Sequence, residues 1–211
     1  MMIRIMITDD HAIVRQGLRQ ILSETDDLKV TGEAETGFQA IKIVRQKTFD
    51  VMLLDISLPD RNGIEILKQV KKDQPSLAVL VLSMHTEHEF AVRALKAGAA
   101  GYLNKQSAPA QLVTAIRQVA AGDKYVSPAV AQELANAIGT DADQPLHASL
   151  SDREFQTLCQ IAGGKTLADI SAEMFLSPKT VSVYRARLLE KLKLTNNSEL
   201  IRYAIKNKLV D

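Results

Sequence analysis

The sequence has little of what several common classes of protein require. Its single cysteine, Cys159, allows no intramolecular disulfide and excludes a zinc site built from several thiolates. Tryptophan is absent and aromatic residues make up 4%, which disfavours base stacking on single strands as a main binding mode. The longest apolar runs, such as 78–82, are far too short to cross a bilayer. Because the N-terminus also lacks a signal-peptide pattern, we expect a cytoplasmic protein with no membrane partner.

An excess of charge of one sign is also missing. Lys and Arg number 26 and Asp and Glu number 25, which gives a net charge of +1 over 211 residues. This balance excludes a protein that coats DNA regardless of sequence, but charges can be segregated within a chain. Residues 1–122 carry a net charge of +1, residues 123–150 carry −3, and residues 151–211 carry +3. The length fits one large domain or two small ones.

Residues 1–122 alternate between two patterns. Short apolar runs lie at 3–8, 29–34, 51–55, 78–83 and 101–103. Between and after them, apolar residues are spaced for one helix face: Ile13, Leu18, Ile21 and Leu22; Ile64, Leu67 and Val70; Ala91 and Leu95; Val113, Ile116 and Val119. This alternation predicts an α/β domain, a doubly wound five-stranded parallel sheet with helices on both faces.

The rest of the chain has a different pattern. Ser127-Pro128 starts a short helix that we expect to end near residue 138, and residues 139–149 have the composition of an exposed linker. Residues 150–211 are helical throughout, and capping signals predict four helices. Their starts are marked by Ser151 with Glu154, Thr166 with Asp169, Ser177-Pro178 and Asn197. The predicted domains are therefore 1–122, a linker with a short helix over 123–149, and an all-α domain over 150–211.

Polar residues follow four of the predicted strands. Asp9 and Asp10 follow the first, Asp55 ends the third, Ser83 ends the fourth, and Lys105 follows the fifth. Carboxyl ends of parallel strands share one edge of a sheet, which is where open α/β sheets bind ligands. Converging carboxylates need a cation, and Mg²⁺ suits oxygen ligands. A single such aspartate is commonly a turn residue, but the whole set predicts phosphoryl transfer to a carboxylate. No glycine-rich phosphate loop follows the first strand, which disfavours a dinucleotide fold.

Residues 1–122 resemble a CheY-like response-regulator receiver domain. The resemblance rests on Asp9-Asp10, on Asp55 at the end of 51–55, on the turn 58–63, on Ser83, and on 101–105. It implies that Asp55 accepts a phosphoryl group from a sensor histidine kinase and that Lys105 binds that group. It implies that Asp10, Asp55 and the Ser57 carbonyl ligate Mg²⁺, with Asp9 supporting through water. It also implies that Ser83 and Tyr102 form a switch pair.

Met84 and His11 directly follow predicted site residues, Ser83 and Asp10. The residue after the switch hydroxyl is usually small in this family, but here it is Met84. We expect this bulky side chain to slow self-dephosphorylation, the alternative being a covering residue with no kinetic effect. His11 is interpreted as a helix-start residue.

The predicted helix over 178–192 is basic on one side. On a wheel of about 3.6 residues per turn, Val181, Tyr184, Leu188 and Leu192 form the buried stripe, and Lys179, Ser182, Val183, Ala186 and Arg187 lie opposite. A basic face of small residues suits entry into a major groove. The alternative is an ordinary solvated face.

Residues 150–194 resemble the LuxR-type helix-turn-helix of the NarL/FixJ family, nearest in look to its GacA, UvrY and BvgA branch. The resemblance rests on Leu150-Ser151, Arg153-Glu154, Gly164 with Thr166, Leu176-Ser177 with Thr180-Val181, and Lys191-Leu192. Many relatives have a basic residue where this chain has Ser182. The predicted DNA-binding residues are Lys179, Thr180, Ser182, Val183, Arg185 and Arg187.

Together these features predict a two-component transcription regulator that binds double-stranded DNA as a homodimer. The resemblance implies that the last helix pairs the two DNA-binding domains. We expect no enzymatic activity beyond its own phosphotransfer and slow dephosphorylation. A phosphatase is the first alternative, but it needs an acid or base two residues after the nucleophile, where this chain has Ser57. The second alternative is a receiver whose C-terminal helices bind a protein. We expect phosphorylation either to unmask the recognition helix or to promote dimerisation. For the first of these, the acidic linker with Asp141 and Asp143 is the segment expected to lie against the basic helices at rest.

Overall fold

The computed structural model describes residues 2–83, 87–128, 130–132, 145–207 and 209–210. Its contacts divide the chain into two compact units, Met1–Leu134 and Ala135–Asp211.

The first unit contains a five-stranded parallel sheet in the order β2-β1-β3-β4-β5. Its strands are β1 (Ile3–Thr8), β2 (Leu28–Ala34), β3 (Val51–Asp55), β4 (Ala78–Ser83) and β5 (Gly101–Asn104). The strand order reverses between β1 and β3, and such a switch point leaves a crevice at the carboxyl ends of these two strands. The predicted doubly wound fold is therefore confirmed, with the crevice beside Asp9 and Asp55.

Helices follow all five strands. They are α1 (Ala12–Ser23), α2 (Gly37–Gln46), α3 (Gly63–Asp73), α4 (Glu87–Lys96) and α5 (Pro109–Ala120). Thr36 caps α2 by accepting from the Gln39 amide, and Asn62 caps α3 by accepting from the Ile64 amide. These side chains satisfy amides that have no partner inside the helix, so both helices begin directly after their caps.

The core lies between the sheet and its helical layers. One cluster joins sheet residues to α1 and α5: Ile5, Ile7, Val51, Leu53, Leu80, Leu82 and Leu103 with Leu18, Leu22, Leu112, Ala115, Ile116 and Val119. Met6, Met52 and Leu54 alternate with these sheet residues along the strands and are also fully buried. The central strand β3 is thus covered on both faces, as its consecutive apolar residues indicate.

The predicted apolar face of α1 is wrong at its first residue. Ile13 is 83% exposed, whereas Leu18 and Leu22 are buried. Five residues of α-helix turn through about 500°, so Ile13 lies about 140° from Leu18 around the axis. Arg15 takes the corresponding place on the buried side.

The second unit contains four α-helices among its described residues. They are α6 (Asp152–Ala162), α7 (Leu167–Glu173), α8 (Pro178–Leu192) and α9 (Asn197–Lys206), preceded by a one-turn 3-10 helix (Leu146–Ser149). Complete capping boxes at Ser151 and Thr166 start α6 and α7 as predicted. Helix α7 ends before Phe175, which has a left-handed φ of 53° and opens the turn to α8.

The linker prediction needs a correction at its end. Leu146, Ala148 and Ser149 are exposed, as the linker composition predicts, but residues 146–149 form the 3-10 helix instead of an irregular segment, and His147 is 2% exposed. Its ring lies beside Phe155 and Tyr203, and its backbone N–H donates to the Tyr203 hydroxyl at 3.2 Å. Residues 128 and 130–132 are helical, as expected, whereas the end of that helix, Asp141 and Asp143 lie outside the described residues. Across the described ranges, no helix is long and apolar enough to span a membrane.

Candidate functional site

Three charged side chains meet at the carboxyl edge of the sheet. Asp9 follows β1, Asp55 ends β3, and Lys105 follows β5. The Lys105 Nζ atom lies 2.7 Å from Asp9 Oδ2 and 2.8 Å from Asp55 Oδ2. Asp9 and Asp55 are 1% and 2% exposed. The structure therefore brings these predicted site residues together in a buried crevice, with the ammonium bridging the two carboxylates.

Burial and charge act in opposite directions at this site. Burial raises the pKa of Asp55, and the Lys105 ammonium offsets that rise only in part. Burial lowers the pKa of Lys105, but Asp55 and Asp9 together outweigh it, so this pKa is raised overall. The arrangement keeps Lys105 charged and makes Asp55 a more basic carboxylate than one in water.

The edge offers enough oxygen ligands for a divalent cation. One ligand atom from each of Asp9, Asp10, His11 and Asp55 lies within 4.8 Å of the others. Three carboxylates against the one Lys105 ammonium leave two negative charges in excess among these residues. A hard cation that prefers carboxylate and carbonyl oxygens relieves this repulsion, so the donor set fits Mg²⁺. His11 precedes α1 as its N-cap residue, as interpreted, but its ring approaches Asp10 at 2.9 Å and makes no capping bond.

Ser57 lies two residues beyond Asp55 in the loop between β3 and α3. Its backbone N–H donates to Asp55 Oδ1 at 3.2 Å. Its backbone also forms an antiparallel bridge with Asn62, the cap of α3. These contacts fold the loop back over the end of β3, beside the carboxylates.

The predicted switch residues are buried in adjacent strands. Ser83 is 1% exposed at the end of β4, and Tyr102 is 3% exposed in β5. The strand register pairs Ser83 with Asn104 and Tyr102 with Val81. The Tyr102 ring is therefore turned inward. Met84 lies outside the described residues.

Sequence reasoning missed Arg15, which supports the first aspartate. Its Nη1 donates to the Asp9 carbonyl at 2.8 Å, and its guanidinium forms ion pairs with Glu33 and Glu35. Arg15 precedes the buried Leu18 by three residues, so it occupies the apolar stripe of α1. A charged residue at such a position is the signal that would have identified it, because buried charges need partners.

Helix α8 presents part of the predicted DNA-binding set to solvent. Lys179, Ser182, Val183 and Arg187 are exposed. Val181, Leu188 and Leu192 are buried on the other side, as predicted, but Tyr184 is only half-buried.

Three of the predicted DNA-binding residues form side-chain hydrogen bonds within the fold, and one of them is Ser182, whose hydroxyl donates to the Pro178 carbonyl at 2.9 Å. The Thr180 hydroxyl lies 2.8 Å from the Ser177 hydroxyl in the cap of α8. Arg185 Nε donates to Asn197 Oδ1 at 2.6 Å, which ties α8 to the start of α9.

Helix α8 is also anchored at its C-terminal end. Lys191 Nζ lies 2.6 Å from Glu154 Oε2, and Glu154 is 2% exposed. Burial alone would raise the pKa of Glu154, but Lys191 and the Ser151 amide outweigh it and lower this pKa. Glu154 therefore both completes the cap of α6 and holds α8.

Comparisons with known proteins cover both units. Residues 5–117 match the family described as the response regulator receiver domain, and residues 148–204 match that described as bacterial regulatory proteins, luxR family. The response regulator UvrY of Escherichia coli (strain K12) is 38% identical over 209 residues, covering 99% of this chain and 96% of UvrY. The response regulator GacA of Pseudomonas aeruginosa is 39% identical over 212 residues, covering 100% of this chain and 99% of GacA.

Solved structures that resemble this chain are also response regulators. RcsB from Salmonella enterica serovar Typhimurium, bound to promoter rprA with the phosphomimetic BeF3−, has a TM-score of 0.65 and 27% identity, covering 96% of this chain and 98% of that chain. A LuxR-family two-component response regulator from an Aurantimonas species has a TM-score of 0.61 and 36% identity, covering 66% of this chain and 100% of that chain.

Proposed function

The chain belongs to the response regulators with a LuxR-type DNA-binding domain, which are phosphorylation-regulated transcriptional regulators, and we propose that Asp55 is its phosphoacceptor. The observation that carries this proposal is the Lys105 ammonium, which lies within 2.8 Å of both Asp9 and Asp55 at the end of the sheet. Asp9 and Asp10 follow β1, whereas Asp55 is itself the last residue of the central strand β3.

The phosphodonor is a phosphohistidine of a sensor kinase. An Asp55 carboxylate oxygen attacks phosphorus, the P–N bond breaks, and its electron pair leaves with the imidazole. Lys105 neutralises charge on the phosphoryl oxygens, where positioning and electrostatics account for most of the catalysis.

We propose Mg²⁺ as the cation at this edge. Asp10, Asp55 and the Ser57 carbonyl would hold it, with Asp9 contributing through water. When bound, Mg²⁺ supplies charge neutralisation to the phosphoryl group. Arg15 acts indirectly, since it fixes the Asp9 backbone through its carbonyl.

Phosphorylation then acts on DNA binding through the switch pair. In this proposal the Ser83 hydroxyl bonds a phosphoryl oxygen, and this bond favours the inward position that the Tyr102 ring already has in this structure. The phosphorylated chain binds DNA as a homodimer paired through α9. Lys179, Ser182, Val183 and Arg187 contact DNA from the exposed face of α8, and Thr180 and Arg185 position that helix. Because DNA is the partner, we place the protein in the cytoplasm.

The chain has no separate enzymatic activity in this proposal. A phosphatase that uses an aspartate nucleophile needs an acid or base two residues later, and Ser57 supplies neither. The only chemistry that we propose for this chain is that it accepts a phosphoryl group on Asp55 and slowly loses it again.

Two measurements test this function. The first is phosphoryl incorporation from a histidine kinase into wild type, Asp55→Asn and the control Asp50→Asn, whose carboxylate pairs with Arg4. We expect Asp55→Asn alone to lose labelling, and equal labelling of all three would contradict the proposal. The second is selection of duplex DNA by the phosphorylated chain, the unphosphorylated chain and Asp55→Asn. Half-sites recovered in pairs only after phosphorylation are expected, whereas identical selection by all three would refute phosphorylation control.

A further inference from the structure

The loop that carries Ser57 is attached at its tip to a different helix. Asp60 Oδ1 accepts from the Gly37 amide and Asp60 Oδ2 accepts from the Phe38 amide, both at 2.8 Å. The guanidinium carbon of the next residue, Arg61, lies 4.5 Å from the centre of the Phe38 ring. We call these four residues the loop clasp.

The clasp uses amides that α2 itself leaves open. Gly37 and Phe38 are the first two residues of α2, and Thr36 already accepts from the third amide, that of Gln39. Asp60 lies 22 and 23 residues further along the chain than Phe38 and Gly37. A carboxylate is well suited to this position, since helix N-termini favour negative charge and two oxygens engage two amides at once.

Close packing fixes the same helix end. A Cβ atom on Gly37 would lie 2.3 Å from Ile66 Cδ1 and 3.3 Å from Asp60 Oδ1. The start of α2 is therefore held both against α3 and against the loop. Glycine at this position permits the approach that brings its amide to Asp60.

The clasp completes the anchoring of the loop. One end begins at Asp55, and the other is fixed by the buried Asn62 and by the Gly63 amide, which donates to the Ile56 carbonyl at 2.8 Å. The Asp60 carboxylate restrains the part between these ends. Ser57 lies in this restrained stretch, directly beside the phosphoacceptor.

We infer that Asp60 is a positioning residue that fixes the Ser57 carbonyl for a small octahedral cation and so favours Mg²⁺ over Ca²⁺. The inference rests on the proposed function, in which that carbonyl ligates the metal. Mg²⁺ requires near-ideal geometry at about 2.0–2.1 Å, whereas Ca²⁺ accepts longer and irregular bonds. Loosening the loop should therefore weaken Mg²⁺ binding much more than Ca²⁺ binding.

The test is isothermal titration calorimetry of the full chain with Mg²⁺ and with Ca²⁺. Asp60→Ala should lose about tenfold in Mg²⁺ affinity, the scale known for groups that support metal ligands, and less than about twofold in Ca²⁺ affinity. Asp60→Asn, whose amide keeps one acceptor oxygen, should fall between wild type and Asp60→Ala. Thr36→Ala is the matched control, because it removes a cap from the same helix without touching the loop, and it should keep the wild-type ratio.

The outcomes separate this inference from the proposed function. One outcome is that the wild-type chain binds Mg²⁺ while both Asp60 variants keep its ratio of Mg²⁺ to Ca²⁺ affinity. That result would overturn the role of Asp60 and leave the metal site in place. An equal loss for both ions, or the same change in Thr36→Ala, would show a general structural effect and would also overturn it. Wild type that binds neither ion would remove the metal site itself. If Asp60→Ala does not fold, Asp60→Asn decides.

Discussion

Gly63 is the position where a single methyl group should disturb the phosphoacceptor most directly. A Cβ atom there would lie 2.3 Å from the Asp55 carbonyl oxygen and 2.6 Å from Ile56 Cα. Both are backbone atoms at the end of β3, so no side-chain rotation relieves the overlap. Real Cβ atoms essentially never approach another atom more closely than 3.0 Å. The start of α3 or the end of β3 must therefore move by at least 0.7 Å, which is the difference between 3.0 Å and the 2.3 Å contact with the Asp55 oxygen.

The energetic cost has two parts and one offset. Overpacking at a closed site costs about 1–3 kcal/mol. The displacement also weakens the bond from the Gly63 amide to the Ile56 carbonyl, worth about 1 kcal/mol. Alanine returns about 0.5–1 kcal/mol through its better helix propensity. We therefore expect Gly63→Ala to lower the free energy of unfolding by about 2 kcal/mol.

Gly17→Ala is the matched control for this prediction. Gly17 lies inside α1, and a Cβ atom there meets no other atom within 4 Å. This variant should gain about 0.5–1 kcal/mol, because only the propensity term remains. Urea unfolding followed by far-ultraviolet circular dichroism measures the free energy of unfolding of both variants. Labelling by a histidine kinase measures how well Asp55 still accepts a phosphoryl group. Gly63→Ala as stable as Gly17→Ala, with full labelling, would refute the reasoning.

Three further predictions concern kinetics, DNA and acid stability. Met84→Ala should shorten the half-life of the phosphorylated chain, because a smaller side chain admits the attacking water; an unchanged half-life would assign Met84 no kinetic role. Lys179→Ala should cost about 1–3 kcal/mol and relax sequence preference if Lys179 reads a base; equal loss on all duplexes in a binding assay would instead make it a phosphate contact. The pKa of Glu154 is lowered in the folded state, so its stabilisation is present above the usual carboxyl pKa and is lost as pH falls through the lowered value. Lys191→Met should cost about 1 kcal/mol at neutral pH, since the lysine is partly exposed, and should flatten the loss of stability below about pH 4.5; an unchanged acid profile in unfolding measurements would exclude that origin.

The sequence allowed the sheet and its polar edge to be predicted for one geometric reason. A parallel sheet places the carboxyl ends of its strands at one edge, so polar residues that follow buried runs must come together there. Asp9, Asp55 and Lys105 are such residues, and the structure places Lys105 between the other two. The shared edge does not depend on side-chain detail, since the common direction of the strands is sufficient to bring these residues there.

Supporting contacts could not be predicted in the same way. Asp60 reaches α2 across more than twenty residues, and Arg15 reaches a backbone carbonyl, Glu33 in β2 and Glu35 directly after β2. Periodicity places the charged Arg15 on the buried face of α1, but it does not report the partners of either residue, because these depend on loop path and side-chain conformation. The error at Ile13 has a simpler origin, because a five-residue spacing does not return to the same helix face.

Contacts within the fold also reduce the number of α8 cations that are available to DNA. Five basic residues against Glu190 make residues 177–194 look like a uniformly positive DNA surface. The structure pairs Lys191 with Glu154 and ties Arg185 to Asn197. Counterion release depends on cations that reach phosphates, with log K falling by about 0.9 per contact for each unit of log salt. The salt dependence of DNA binding should therefore follow the smaller set of exposed cations rather than the net charge of the segment. A charge count from sequence is in this sense an upper bound, because a helix-turn-helix must use some of its cations to hold the helix that reads DNA.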